Sequence, residues 1–173
     1  TPYLLDKARE GYRMGHGKLI DSLVHDGLWD VYNDKHMGDC GELCAKEKSI
    51  TRSEQDRYAL QSYQRALESI ASGKFKNEIV GVSVPSGKET KLFDTDEEPA
   101  RAKLEKFPEL RPAFQKDGTV TAANASSLSD GAAAVLVTSK EFAAKHQLKP
   151  IARIVAQASF AQAPEWFTTA PVG

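Results

Sequence analysis

A chain of 173 residues with 40% hydrophobic side chains is long enough to bury a good core, and one domain is the natural expectation. Its charged residues, 27% of the chain, nearly cancel to a formal net charge of −1, which argues against nucleic acid as the main partner. The apolar runs fall far short of a bilayer span, and the start Thr1-Pro2-Tyr3-Leu4-Leu5-Asp6 lacks the charged region and long apolar core of a secretory leader.

Residues 3–35 hold short helical patterns, with Leu19, Ile20, Leu23 and Val24 at helical spacing and breaks at Gly11, Gly15, Gly17 and Gly27. Trp29, Val31 and Tyr32 lead into Asn33-Asp34, which reads as a turn or a cap. A helix of small residues is expected from Met37 to Glu47. It sets Cys40 and Cys44 on one face, one turn apart. These are the only cysteines, and they read as reduced, helix-packing thiols rather than a disulfide framework. Zinc would need two further ligands, and His36 alone is close in sequence.

Thr51-Arg52-Ser53-Glu54 is a capping box, with Thr51 as the cap and Glu54 reaching back. The helix it starts carries Ala59, Tyr63, Ala66, Leu67 and Ile70 along one stripe and ends at Gly73. A strand is expected over 79–84, a turn at Pro85-Ser86-Gly87 and a return strand over 91–93. Residues 94–98 read as an acidic, solvated loop, and 101–111 as a basic and apolar stretch broken by Pro108.

The block from Gly118 to Val137 is the most informative part of the chain. Small side chains fill Thr121 to Ala125, so a ligand or another backbone could approach closely. A polar turn follows over 126–131, and the apolar run 132–137 reads as a buried strand. Ser139 caps a helix from Lys140 to about His146, Pro150 turns the chain, and 151–160 reads as another strand. The fold class is therefore α/β, in the mixed α+β sense: a mostly helical front with a small hairpin, and a strand–helix–strand rear. The chain opens without a methionine and closes on the linker-like run Thr168 to Gly173, which suggests a piece of a longer protein.

Several strings resemble one family in order and register. Thr121-Ala122-Ala123-Asn124-Ala125-Ser126, followed by Asp130-Gly131-Ala132-Ala133, is similar to the long signature of the thiolase superfamily. Gly15-His16-Gly17, the run Asp26 to Asn33, His36-Met37-Gly38, the run Thr51 to Asp56, the run Gly73 to Ile79, and Leu110-Arg111-Pro112-Ala113-Phe114 match in the same order. The resemblance covers all 173 residues, and the tail Ala161 to Pro171 is similar to the biosynthetic acetoacetyl-CoA thiolases, which are acetyl-CoA C-acetyltransferases.

The resemblance implies a thiolase-like fold fragment. Residues 1–117 would be a CoA-covering loop domain, whose first residues could belong to the N-terminal core, and 118–173 the end of that core. Thiolases transfer acyl groups between CoA thioesters by Claisen condensation or its reverse. A nucleophilic cysteine takes the acyl group, a histidine activates it and a second cysteine serves as acid and base. The family's strings around those three residues do not occur here, so the segment is expected to bind CoA and to be inactive alone. Acyl-CoA is the implied substrate, without a redox cofactor, and potassium could bind near Ala122, Ala123 and Ala125. The implied partners are the remaining halves of the parent enzyme and further copies of it, in a tetramer, in the cytoplasm or the mitochondrion. The alternative is a short, non-catalytic CoA-binding or protein-interaction module.

By the same resemblance His36 faces the pantetheine arm, Met37 packs beside the acyl end and Leu28 lines the same tunnel. Tyr63 borders the site, Arg101 and Lys106 are cations near the adenosine, Phe114 packs on the pantetheine and Ser126 bonds its amide. Ala122 lets the arm lie against the backbone. Each has a plainer reading: a helix-start histidine, a packed tyrosine with a partnered hydroxyl, a solvated basic stretch, a turn hydroxyl. Asn124 and Asp130 read as fixing loop geometry. The chain departs from the family at Gly41-Glu42-Leu43, where Ala-Glu-Asn is common, and at Asp39 beside Cys40.

Overall fold

A computed structural model of the chain describes all 173 residues. Its front is built on short antiparallel ribbons rather than on the helices expected over 3–35. β1 (Tyr3–Leu5) pairs with β2 (Leu19–Asp21), Leu4 opposite Ile20. Interior glycines weaken a helix by about 1 kcal/mol each, so this stretch pairs across a loop instead. Only Leu23–Gly27 coils, as a single π-type turn. β3 (Trp29–Asp30) and β4 (Lys35–His36) form a second ribbon. Its turn is pinned by the buried Asp30 carboxylate, which accepts the N–H groups of Tyr32 and Asn33 and, at 2.7 Å, the Asn33 amide. That amide bond holds the Asp30 carboxyl below the usual carboxylate range.

α1 (Met37–Glu47) begins where β4 ends, at the expected bounds. It buries Cys40 and Ala45 and packs against 3-10 turns over Pro164–Val172. Lys35 bridges to Glu165 at 3.0 Å, and the Lys48 ammonium stands 5.7 Å from the Trp166 ring. The final residues are thus a packed element rather than a linker-like run.

α2 (Arg52–Ala71) starts with the expected capping box: Thr51 Oγ1 accepts the Glu54 N–H, and the Glu54 carboxylate accepts the Thr51 N–H at 2.8 Å. Gly73, at φ +69°, follows its end. The buried core is Ala59 of this helix with Phe107 and Ala123, ringed by Leu60, Tyr63, Ala102, Leu104 and Leu110.

β5 (Val82–Ser86) and β6 (Glu89–Phe93) form the hairpin, Ser86 opposite Glu89. The first strand starts later than expected, and Pro85 and Ser86 lie in it rather than in the turn. Both strands of a two-stranded ribbon are edges, where a proline is tolerated. The acidic stretch ends in α3 (Glu98–Arg101), and 3-10 turns over Leu104–Glu109 bury Phe107.

The rear carries α4 (Lys140–Lys145), capped as expected by Ser139, whose Oγ accepts the Phe142 N–H at 3.1 Å. Neither expected strand forms at 132–137 or 151–160. Val135, Leu136 and Val137 are 87%, 76% and 70% exposed, so the buried-strand reading of that run is corrected. A buried strand needs a hydrogen-bonded neighbour and cover on both faces, and every strand of the chain is paired within one of the three ribbons, none with these runs. The mixed α/β class holds through the three ribbons and the helices. No helix is long and apolar enough to cross a membrane.

Candidate functional site

His36 closes β4 and caps α1, so two elements fix it at once. Its Nδ1 accepts the Gly38 N–H at 3.0 Å, which leaves the proton of the neutral imidazole on Nε2. Phe114 lies over the imidazole, with ring centroids 4.8 Å apart and planes tilted by 31°, and Trp29 meets it edge-on at 6.4 Å. The Phe114 ring also presses on Gly38, where a Cβ would collide with it. The Met37 N–H donates to the Leu28 carbonyl at 2.8 Å. Leu28, His36, Met37 and Phe114, expected at one tunnel, are therefore neighbours, and all but the more exposed Phe114 are half-buried.

A second cluster forms around Glu98. Its carboxylate accepts the Tyr63 hydroxyl at 3.2 Å and the Ser127 hydroxyl at 3.1 Å. Burial pushes the Tyr63 phenol up, and the Glu98 carboxylate adds to that. The Tyr63 ring meets Phe107 edge-on at 5.2 Å, so it is a packed tyrosine with a partnered hydroxyl. Ser126 is exposed beside this cluster in sequence, and Ser127 makes the contact. Arg101 is exposed and paired with Glu97 at 2.8 Å, one helical turn away, while Lys106 is exposed. Ala122 is exposed, Ala123 buried and Ala125 half-buried, on a turn closed by the Ala125 N–H to the Thr121 carbonyl at 3.0 Å.

The residues that hold this small-residue turn went largely unread in the sequence. Glu42 of α1 is buried, and its oxygens accept the N–H groups of Thr119 and Val120 at 2.8 Å and the Thr119 hydroxyl at 2.9 Å. Asn124, expected to fix the loop, does so with three hydrogen bonds. Its Oδ1 accepts the Thr121 N–H at 2.7 Å, and its Nδ2 donates to the Thr119 carbonyl and to Asp56, both at 3.0 Å. Asp56 in turn takes Arg52 Nε at 2.7 Å, and Arg52 Nη2 caps the Phe107 and Leu110 carbonyls. Asp130, given the same role as Asn124, is exposed and outside the network, because the chain turns away after Ser127. A carboxylate within a small-residue helix was the available signal for Glu42, but its partners are backbone groups that no side-chain pattern marks.

Two surface grooves flank these clusters. One, about 820 Å³, runs between α1 and residues 115–119, past Lys35, Asp39, Glu42 and Lys46. The other, about 700 Å³, lies between the end of α2 and the hairpin, over Ile70, Phe75, Ile79 and Leu92. None of the residues expected at CoA lines either groove. Cys40 is fully buried, and burial pushes its thiol up, with the neighbouring Asp30 charge adding to it, as suits a packed thiol.

The family model for the thiolase N-terminal domain matches residues 1–141. The chain belongs to the thiolase family. An acetyl-CoA acetyltransferase of Pseudomonas aeruginosa is 49% identical over 174 residues, covering 99% of this chain and 44% of the relative. Acetyl-CoA acetyltransferase 2 of Arabidopsis thaliana is 48% identical, with 99% and 43% covered. Among solved structures, the acetyl-CoA acetyltransferase of Bacillus anthracis superposes with a TM-score of 0.81 at 40% identity, covering 87% of this chain and 38% of that one. This thiolase chain thus spans under half the length of the curated relatives it matches.

Proposed function

We propose that this chain is the acyl-CoA-covering part of an acetyl-CoA C-acetyltransferase, which condenses two acetyl-CoA molecules to acetoacetyl-CoA and CoA and runs the reverse thiolysis. The observation that carries the reading is the cluster of Leu28, His36, Met37 and Phe114, which the family resemblance assigns to one coenzyme arm. A flexible pantetheine chain suits such a rim: flat apolar rings for its methylene groups, and an imidazole N–H for one of its amides. In this reading Ser126 bonds an arm amide, Tyr63 borders the site, Ala122 lies under the arm, and Arg101 and Lys106 face the adenosine phosphates. Potassium near Ala122, Ala123 and Ala125 remains part of the proposal.

The reacting sulfur and imidazole belong, in the same reading, to polypeptide outside residues 1–173. The exposed runs around Val135–Val137 and Ile154–Val155 support that division, because such apolar stretches suit strands of a larger sheet. Residues 1–117 and 118–173 then act as loop domain and core edge of one enzyme, assembled as a tetramer.

The test is an acetoacetyl-CoA thiolysis assay on two samples. The full-length polypeptide carrying this chain is expected to turn over, and the purified 173-residue chain is not. Turnover by the chain alone overturns the division of labour, and none by the full-length polypeptide overturns the activity.

A further inference from the structure

We infer that Glu42 is a positioning residue of this surface: its carboxylate latches the backbone at Thr119–Val120 and so sets where Phe114 and the Ala122–Ser126 turn meet an acyl-CoA arm. The inference rests on the acyl-CoA reading above. Glu42 is 6% exposed and both of its oxygens are occupied by N–H and O–H donors at 2.8–2.9 Å. Charge-assisted bonds of this kind are about twice as strong as neutral ones. A buried carboxylate so saturated by one short stretch of backbone fixes that stretch in place.

The neighbouring glycine belongs to the same latch. A Cβ on Gly118 would collide with Glu42 Oε1, so the bare backbone at that position lets the carboxylate seat closely against it. The latched backbone then carries its neighbours. The Ala113 N–H donates to the Val120 carbonyl at 2.8 Å, which ties the Phe114 segment to it. Gln115 Nε2 reaches Asp39 of α1 at 3.0 Å, and Gln55 of α2 reaches the Thr119 hydroxyl at 2.9 Å. α1 and its cap therefore hold the segment at three points, through the His36 ring on Phe114, Asp39 on Gln115, and Glu42 on Thr119 and Val120. The hydrogen bonds of Glu42 go to Thr119 and Val120, so its influence on a ligand passes through backbone position.

The test uses the full-length polypeptide carrying this chain, with CoA as the probe in calorimetry and acetoacetyl-CoA in steady-state kinetics. Glu42→Gln puts an amide donor where an acceptor is needed, and Gly118→Ala pushes the carboxylate away without altering it. Both are expected to weaken CoA binding and raise KM about tenfold, with kcat changed less than about threefold. Glu42→Asp keeps the charge and is expected to recover part of the loss. Thr119→Ala removes the hydroxyl's bonds to Glu42 and to Gln55, with an expected effect of about two- to threefold; paired with Gln55→Ala, which removes the second bond and leaves the first, it decides the matter if the first two fail to fold. Glu47→Gln, exposed at the end of α1, is the unchanged control. Folded variants with unaltered KM and CoA affinity, or with a loss confined to kcat, overturn the inference. If the unsubstituted polypeptide binds no CoA, the acyl-CoA reading itself fails. If Phe114→Ala weakens CoA while the Glu42, Gly118 and Thr119 variants do not, only the latch fails.

Discussion

The imidazole of His36 and the phenyl ring of Phe114 stack with centroids 4.8 Å apart, although one caps α1 and the other lies in the loop beyond the 3-10 turns. Aromatic pairs of this geometry contribute about 0.5–1.5 kcal/mol beyond their burial. Phe114→Ala in the full-length polypeptide removes the ring pair and, in the proposed reading, the apolar surface offered to the arm. Calorimetry with CoA is expected to give an affinity about tenfold lower. An unchanged affinity would separate the stack from ligand binding.

Gly38 makes that stack possible, since a Cβ there would meet the Phe114 ring. Gly38→Ala must displace the ring, and overpacking of this kind costs about 1–3 kcal/mol. The urea midpoint is expected to fall, and the His36 ring proton shifts to move with it. An unaltered midpoint with unaltered shifts would mean that the ring has room to yield.

Asn124 is the hub of the network beneath the turn. Asn124→Ala breaks three hydrogen bonds and strips a partner from the buried Asp56, a loss of about 2–4 kcal/mol. Asp130→Ala touches none of this and is expected to stay within about 0.5 kcal/mol of the parent. Equal effects of the two in denaturant unfolding would remove Asn124 from its structural role.

The capping box makes a pH prediction. Hydrogen bonds from Thr51, the backbone N–H first, hold the Glu54 carboxyl below its ordinary value of 4.5. A carboxyl with a lowered folded pKa stabilises the protein fully above that ordinary value, and the contribution fades as pH falls through the folded one. The stability difference between the parent chain and Glu54→Gln is therefore expected to be constant at neutral pH and to shrink on acidification below about pH 4.5. A difference that grows in acid would contradict the cap.

Local chemistry accounts for what was legible in the sequence. Thr51 with Glu54, and Ser139, announce their helices because a cap and its partner are neighbours in the chain. The spacing of Leu19, Ile20, Leu23 and Val24 misled because so short a pattern does not separate a helix from a ribbon and a turn. The run 132–137 misled differently. Its composition suits a strand, but strand formation depends on a neighbour to pair with, which composition does not reveal. Family strings pointed to His36, Met37 and Phe114, whose proximity the fold shows, whereas no string pointed to the role of Glu42, because what it recognises is backbone distant in sequence.

Ser126 offers the smallest perturbation of the expected site, since its hydroxyl is exposed. Ser126→Ala in the full-length polypeptide is expected to cost about 1 kcal/mol of CoA affinity by calorimetry, the value of one neutral hydrogen bond. No change would take Ser126 off the arm.

The most direct test of the central claim is a crystal structure of the full-length polypeptide with CoA. The account predicts the pantetheine arm against His36, Met37 and Phe114, at contact distances of about 4 Å, and the reacting sulfur of the enzyme supplied from outside residues 1–173. An arm seated instead in the groove over Ile70, Phe75 and Leu92, or Cys40 or Cys44 at the thioester, would contradict it.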